Sequence, residues 1–251
     1  MTIFYFTGTG NSLAVAKSIG GNLVSIPQII DEPDQHYKDD AIGVIFPTYG
    51  LAMPKMVRKF LSRAKFETNY LFGVATYGNA RGGHGAVMDN LQAHAGKNGY
   101  RFNYTNHILM VDNFVNIFEI GAEIAKIPSK KIEEKLKSIK GDIERRKDFE
   151  VKSGLGGRIL TGIIGSKSEE GGSTPKFIVN DKCNKCGVCA KACPAKNIVD
   201  VKFGNKCEKC YACLHNCPQN AIHLKSQKSD ARWRHPDVSL NEIIEANNRA
   251  K

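Results

Sequence analysis

The chain has no run of about 18 apolar residues, the length a membrane-spanning helix needs, so no membrane span is expected. Its first residues lack the series of basic region, apolar stretch and small-residue cleavage site that marks a secretory signal. Thr2–Phe6 reads instead as a first β-strand, and a soluble, cytoplasmic protein is the expectation. One glycine is missing for a dinucleotide fingerprint: Gly8-Thr9-Gly10-Asn11-Ser12 is followed by Leu13, where G-x-G-x-x-G needs its third glycine. The lysine of the ATP-binding loop G-x-x-x-x-G-K-[ST] is missing as well. The seven histidines show no metal-ligand spacing. Trp233 is the single tryptophan and is expected to dock the C-terminal segment.

Acidic residues are comparatively few. With 36 Lys and Arg against 25 Asp and Glu, the formal charge is +11. Such an excess raises nucleic acid as a partner. The sequence lends it little else. The charged faces of a helix expected from Ser129 to about Phe149 read as solvated surface. The Arg232-Trp233-Arg234-His235 run is short and lacks interleaved aromatics. A nucleic-acid partner is therefore not expected.

What the sequence does contain begins with alternation. Strands are expected at Thr2–Phe6, Leu23–Ile26, Ala41–Phe46, Tyr70–Ala75 and Tyr100–Tyr104, with helices at Ser12–Ile19, Lys55–Ala64 and His84–Ala95. Ile42, Val44, Ile45 and Phe46 form a nearly continuous apolar run, as a parallel strand buried on both faces requires. Such alternation predicts a doubly wound α/β sheet. The glycine clusters Gly8/Gly10, Gly50 and Gly78/Gly82/Gly83 all fall at the carboxyl ends of strands, where open α/β sheets bind ligands. Ile132, Leu136, Ile139 and Ile143 give the helix after Ser129 one buried stripe. Residues 105–127 are apolar but irregular. Residues 151–175 are rich in Gly, Ser and Lys and read as a linker.

All eight cysteines follow this linker. Cys183-x-x-Cys186-x-x-Cys189-x-x-x-Cys193-Pro194 recurs 24 positions later as Cys207-x-x-Cys210-x-x-Cys213-x-x-x-Cys217-Pro218. Lys182/Lys206, Lys185/Lys209 and Ile198/Ile222 repeat with the same offset. A disulfide scaffold would need an oxidising compartment. A structural zinc site has no use for the third C-x-x-C step or the Cys-Pro ending. This duplication resembles the two-cluster bacterial ferredoxins over about residues 176–226. In that family the fourth cysteine of each run ligates the other cluster. The resemblance implies one [4Fe-4S] cluster on Cys183, Cys186, Cys189 and Cys217, and a second on Cys207, Cys210, Cys213 and Cys193. Val188, Ala190, Ala192 and Ala212 would leave room around the clusters. Tyr211 could pack on a cluster or simply fill space. Each four-thiolate cluster carries about −2, so part of the basic excess balances cofactors.

Thr7-Gly8-Thr9-Gly10-Asn11-Ser12 supplies three hydroxyls, an amide and a helix start, all neutral donors for a terminal phosphate. It resembles the flavin mononucleotide phosphate loop of flavodoxins, with Ser12 where threonine is commoner. Pro47-Thr48-Tyr49-Gly50 and Thr76-Tyr77-Gly78-Asn79-Ala80-Arg81-Gly82-Gly83 resemble that family's two loops flanking the flavin ring. The resemblance covers roughly residues 1–150 and implies strand order 2-1-3-4-5 with FMN at the switch point. Tyr49 and Tyr77 are the expected ring partners. Residues 105–127 depart from a short flavodoxin.

Together the two halves resemble the flavodoxin–ferredoxin fusion proteins of anaerobic bacteria. The expected organisation is an FMN domain at 1–150, a linker at 151–175, a two-cluster domain at 176–226 and a docking tail at 227–251. In that tail Ser239 to Glu242 reads as a capping box opening a short helix. The resemblance implies an electron-transfer protein linking bound FMN to two [4Fe-4S] clusters, with redox proteins as partners. The alternative is an FMN-dependent reductase of a small acceptor, fed by its own clusters. No convincing acid stands in the ring loops to serve it; Arg81 and His84 are the available groups.

Overall fold

The computed structural model describes residues 1–50, 52–78, 84–153 and 174–248. Its centre is a parallel sheet. The first eight strands are β1 (Thr2–Tyr5), β2 (Asn22–Ser25), β3 (His36–Lys38), β4 (Ala41–Pro47), β5 (Lys65–Glu67), β6 (Tyr70–Tyr77), β7 (Tyr104–Leu109) and β8 (Phe149–Glu150). The main sheet runs β2-β1-β4-β6-β7-β8, and β3 pairs with β5 in a small parallel ladder. Counting its own strands, the sheet has the order 2-1-3-4-5-6, the flavodoxin-like order with one added edge strand.

Side-chain alternation explains the two covered faces. Phe4, Phe6, Ile42, Val44 and Phe46 face one core with Val57, Phe60 and Leu61. Those last three lie on α3 (Lys55–Arg63), which follows α1 (Asn11–Ile19) and α2 (Ile26–Ile29). Ile3, Tyr5 and Ile45 face the other core with Leu13, Val15 and Ile19 of α1 and with Ile139 and Ile143. Within β4, Gly43 admits the Phe72 ring; a Cβ there would stand 2.2 Å from it.

Three boundaries differ from the sequence reading. The strand expected at Tyr100–Tyr104 is β7, Tyr104–Leu109. Residues before it bind a helix side chain: Gln92, on α4 (His84–Lys97), takes the Phe102 N–H at 3.0 Å and donates to its carbonyl at 2.8 Å. After α5 (Ile120–Ala125), the helix expected from Ser129 starts late, as α6 (Ile132–Glu144). Ile127–Lys130 form a 3₁₀ turn and Lys131, at φ 48°, breaks the helical path between the two. Phe149, expected to end that helix, pairs with β7 in β8.

The cysteine-rich segment is a duplicated β-α-β unit. The first copy has β9 (Phe177–Val179), α7 (Val188–Lys191) and β10 (Ile198–Val199); the second has β11 (Lys202–Phe203), α8 (Ala212–His215) and β12 (Ile222–Leu224). The copies interlock, β9 pairing with β12 and β10 with β11, all antiparallel. Positive φ angles also recur 24 residues apart, at Lys185/Lys209, Gly187/Tyr211 and Lys196/Asn220. Loops bent this tightly are costly for non-glycine residues and persist where the surroundings dictate them.

The tail ends in α9 (Leu240–Asn247), opened by the expected box in which Ser239 and Glu242 satisfy each other's backbone N–H. Among the described residues no helix is long and apolar enough to cross a membrane.

Candidate functional site

The first loop is buried: Thr7, Thr9, Asn11 and Ser12 are each no more than 8 % exposed. Gly10, at φ 97°, turns the chain into α1, and its N–H donates to Thr7 Oγ1 at 3.1 Å. Ser12 Oγ and Thr76 Oγ1 share a hydrogen bond of 2.9 Å, tying the first loop to the third. The outward carbonyls of the loop are taken by distant residues. Asn247 Nδ2 donates to Thr7 O at 3.3 Å, Asn216 Nδ2 to Gly8 O at 3.2 Å and the His235 N–H to Thr9 O at 2.9 Å.

Thr7, Gly8, Thr9, Asn11 and Ser12 line a cavity of about 560 Å³ together with Pro47, Thr48, Tyr49, Gly50, Thr76, Tyr77 and Gly78. The three expected loops therefore meet at one place, in the size range of cofactor sites. Gly10 stands behind the loop, against His235 and Val238. Asn79, Gly82 and Gly83 lie outside the described residues, as do Arg81 and the side chain of His84. Thr48 Oγ1 is buried with no hydrogen-bond partner, an orphaned donor beside the cavity. Tyr77 packs edge-on against His107 at 4.9 Å between ring centroids. The Tyr49 hydroxyl points toward the first loop; a Cβ added at Gly8 would meet it at 3.3 Å. Burial, then the neighbouring Cys210, holds the Tyr49 phenol well above its ordinary range.

Two further walls were not read from the sequence. One is the irregular stretch after β7, with Val111, Asp112, Asn113, Phe114, Ile117 and Phe118. A buried lysine fastens it: Lys130 Nζ donates to Met110 O at 2.6 Å, to Gly78 O at 3.1 Å and to Glu123 Oε2 at 3.1 Å. Burial pushes the Glu123 carboxyl up, but Lys126 and Lys130 overcome this and leave it below the usual range. Asp112 packs over Gly78, and burial pushes its carboxyl up. The other wall is Cys207, Glu208, Lys209 and Tyr211. Glu208 Oε2 accepts the Met56 N–H at the start of α3 at 3.3 Å, and burial pushes its carboxyl up.

The cysteines gather in two recesses. One is lined by Cys183, Cys186, Cys189 and Cys217, the other by Cys193, Cys207, Cys210 and Cys213. Each thus combines three cysteines of one run with the last of the other. Backbone N–H groups point at sulfur: Asn197 to Cys193 at 3.4 Å, Ala221 to Cys217 at 3.3 Å and Lys209 to Cys207 at 3.3 Å. Such donors suit thiolate ligands of a cluster. Burial holds the Cys210 and Cys213 thiols well above their ordinary range, so a cationic iron core would have to displace their protons. Among the described residues no three His, Cys, Asp or Glu side chains are drawn together tightly enough for a single metal ion.

The recesses differ in surroundings. In the outer set Cys186 is exposed, Cys183 and Cys217 are half-buried and Cys189 is buried; in the inner set Cys193, Cys210 and Cys213 are buried and Cys207 is half-buried. The inner recess abuts the first loop: a Cβ at Gly8 would stand 2.7 Å from Cys210 O. Tyr211 lines both the inner recess and the large cavity and stacks on Phe114 at 5.7 Å. Beside it His215, which burial pushes down to about 4, is neutral. Its Nδ1 accepts the Trp233 N–H at 3.1 Å and its Nε2–H donates to Asn113 O at 2.7 Å. Trp233, expected to dock the C-terminal segment, is buried and hydrogen-bonds to the first loop.

Residues 176–199 match the family of 4Fe-4S binding domains. No curated protein matches the chain. Solved structures similar to it include a protein from Bacteroides uniformis named as a candidate flavoprotein, 16% identical with a TM-score of 0.34, over 45% of this chain and 92% of that one. Another so named, from Bacteroides eggerthii, is 14% identical with a TM-score of 0.34, over 52% of this chain and 97% of that one. The Trp repressor binding protein of Bacillus subtilis is 11% identical with a TM-score of 0.30, over 43% of this chain and 83% of that one.

Proposed function

We propose that the chain is an electron-transfer flavo-iron–sulfur protein linking a bound FMN to two [4Fe-4S] clusters, a flavodoxin–ferredoxin fusion with its FMN part at 1–150 and its cluster part at 176–226. One observation carries the reading: the cavity enclosed by the three strand-end loops shares its far wall, Cys207 and Tyr211, with the inner cysteine recess. The hydroxyls of Thr7, Thr9 and Ser12 would hold the phosphate, Thr48 offers a free donor, and Tyr49 and Tyr77 border the ring space. When bound, FMN supplies storage for two electrons that can leave singly, and a [4Fe-4S] cluster carries one. The eight cysteines would hold the clusters in the two sets that line the recesses.

The reading is tested on anaerobically purified protein. It should contain about eight iron atoms per chain and release FMN on extraction. Cys210→Ser should leave about four irons and uncouple flavin reduction from the outer cluster. Zinc in place of iron, or FAD in place of FMN, would refute it.

Asp112 favours a second reading, the FMN-dependent reductase of a small acceptor. It gives the cavity a carboxyl, held up by burial, that was absent from the ring loops as read. Turnover with a panel of small acceptors, lost in Asp112→Asn while FMN is retained, would favour the enzyme; no turnover with any would leave the carrier.

A further inference from the structure

The positive charge is concentrated in the cysteine-rich segment. Between Thr174 and Lys228 there are ten lysines and no arginine, against Asp181, Asp200 and Glu208, a net of +7 out of the chain's +11. The two recesses divide this segment. The inner one abuts the first loop at Gly8, and Glu208 is engaged at α3. The outer one opens to solvent at Cys186.

Three exposed lysines stand in the lining of the outer recess or next to it in sequence. Lys185 lines it, Lys182 precedes its ligand candidate Cys183, and Lys202 follows its lining residue Val201. None of the three forms an ion pair among the described residues, and the exposed Asp181 and Asp200 only partly offset them. The mouth also has an apolar element. Val201 lines the recess and sits at φ 63° in the two-residue turn of the β10–β11 hairpin, and Val199, just before that turn, is 69 % exposed. A β-branched residue is strained in that turn. Turn chemistry alone would favour Gly or Asn at Val201, so an apolar side chain is held at this mouth against the local backbone preference.

We infer that the mouth of the outer recess is a docking face for a small acidic redox protein. The inference rests on the reading that this recess holds a cluster. Unpaired lysines around a small apolar centre match the weak, charge-steered encounters of redox proteins. They also offset the charge of about −2 that a four-thiolate cluster would place beneath them, which would otherwise repel an acidic partner. A single-stranded nucleic acid stacks its bases on aromatic side chains, and among the described residues none lines this recess; duplex DNA is the rival that the test includes.

The test is a binding titration of the iron-loaded chain with an acidic bacterial two-cluster ferredoxin as probe. Affinity should fall about tenfold or more between about 50 and 500 mM salt. Lys182→Glu/Lys185→Glu should weaken it about tenfold at low salt. Lys65→Glu/Lys137→Glu, the same charge change on the flavodoxin-like part, should change it less than about threefold. Equal losses in both variants would overturn the docking face in favour of diffuse charge. Tighter, lysine-dependent binding of duplex DNA would overturn it in favour of nucleic acid. Iron is assayed on the same sample. Absence of iron removes the cluster reading and this inference with it. Iron present without salt-dependent binding removes this inference alone.

Discussion

The Trp233 indole Nε1–H donates to Asn11 Oδ1 at 2.8 Å, joining residues 222 positions apart in the chain. The Asn11 amide passes the contact on, donating to Val111 O at 3.1 Å. Tail, first loop and cavity wall are thereby connected through one side chain. Asn11→Ala should leave the indole N–H and a buried carbonyl unsatisfied. We expect a stability loss of about 1–3 kcal/mol in urea unfolding. Emission from Trp233, the chain's single tryptophan, should move to longer wavelength. An unchanged spectrum with full stability would mean that this contact fastens nothing.

Gly8→Ala probes the seam between loop and cysteines. Its Cβ would meet the Cys210 carbonyl at 2.7 Å and the Cys210 Cβ at 3.1 Å, and a backbone oxygen yields only if the two parts separate. The expected cost is about 1–3 kcal/mol in thermal unfolding, the range of an overpacked core. A variant as stable as the parent would show that the seam is loose.

Lys130 and Glu123 form an ion pair in which both side chains are no more than 6 % exposed. Lys130→Met should cost about 1–3 kcal/mol, because it frees two buried carbonyls and leaves Lys126 as the remaining cation on Glu123. Lys130→Met/Glu123→Met should recover part of that loss, since the charge is then gone as well. Equal losses in the single and double variants would assign the whole effect to the carbonyls of Gly78 and Met110.

Acid should act on the tail through Glu242. A hydrogen bond from Lys17, then the Ser239 N–H, lowers its carboxyl to about 2. The unfolded chain, with an ordinary carboxyl near about 4.3, takes up the proton first as pH falls. The contribution of Glu242 is therefore complete above about pH 5 and is lost progressively as pH falls through about 2. The gap in unfolding midpoint between the parent and Glu242→Gln should be constant above about pH 5 and close below it. A gap that widened with acid would reverse the sign and refute the assignment.

Features set by near neighbours in sequence were legible. The offset of 24 between cysteine runs reappears as paired helices and paired positive φ angles, because each loop is shaped by residues within a few positions of it. The first strand, glycine loop and helix followed for the same reason, whereas the order of the sheet came with the resemblance to flavodoxins. β7 was misplaced because its interior is polar. Thr105 and Asn106 are buried, and Asn106 is satisfied locally through Tyr104 OH at 2.7 Å and the His107 N–H at 2.9 Å, which leaves the stretch irregular in sequence. The walls at 111–118 and 207–211 were illegible. Nothing periodic connects Tyr211 with Phe114, or His215 with Asn113; they meet because the cysteine-rich segment packs on the carboxyl edge of the sheet.

The closeness of Gly8 to Cys210 has a consequence for how the molecule is made. A ribosome produces the first loop long before it produces Cys210, so the seam between loop and inner recess cannot form until the second cysteine run is made. That seam then closes beside buried sulfurs. On the proposed reading, iron for the inner recess would arrive in that interval or wait for the seam to open. A cluster in the outer recess, where Cys186 is exposed, would be open to loading and repair without any such opening.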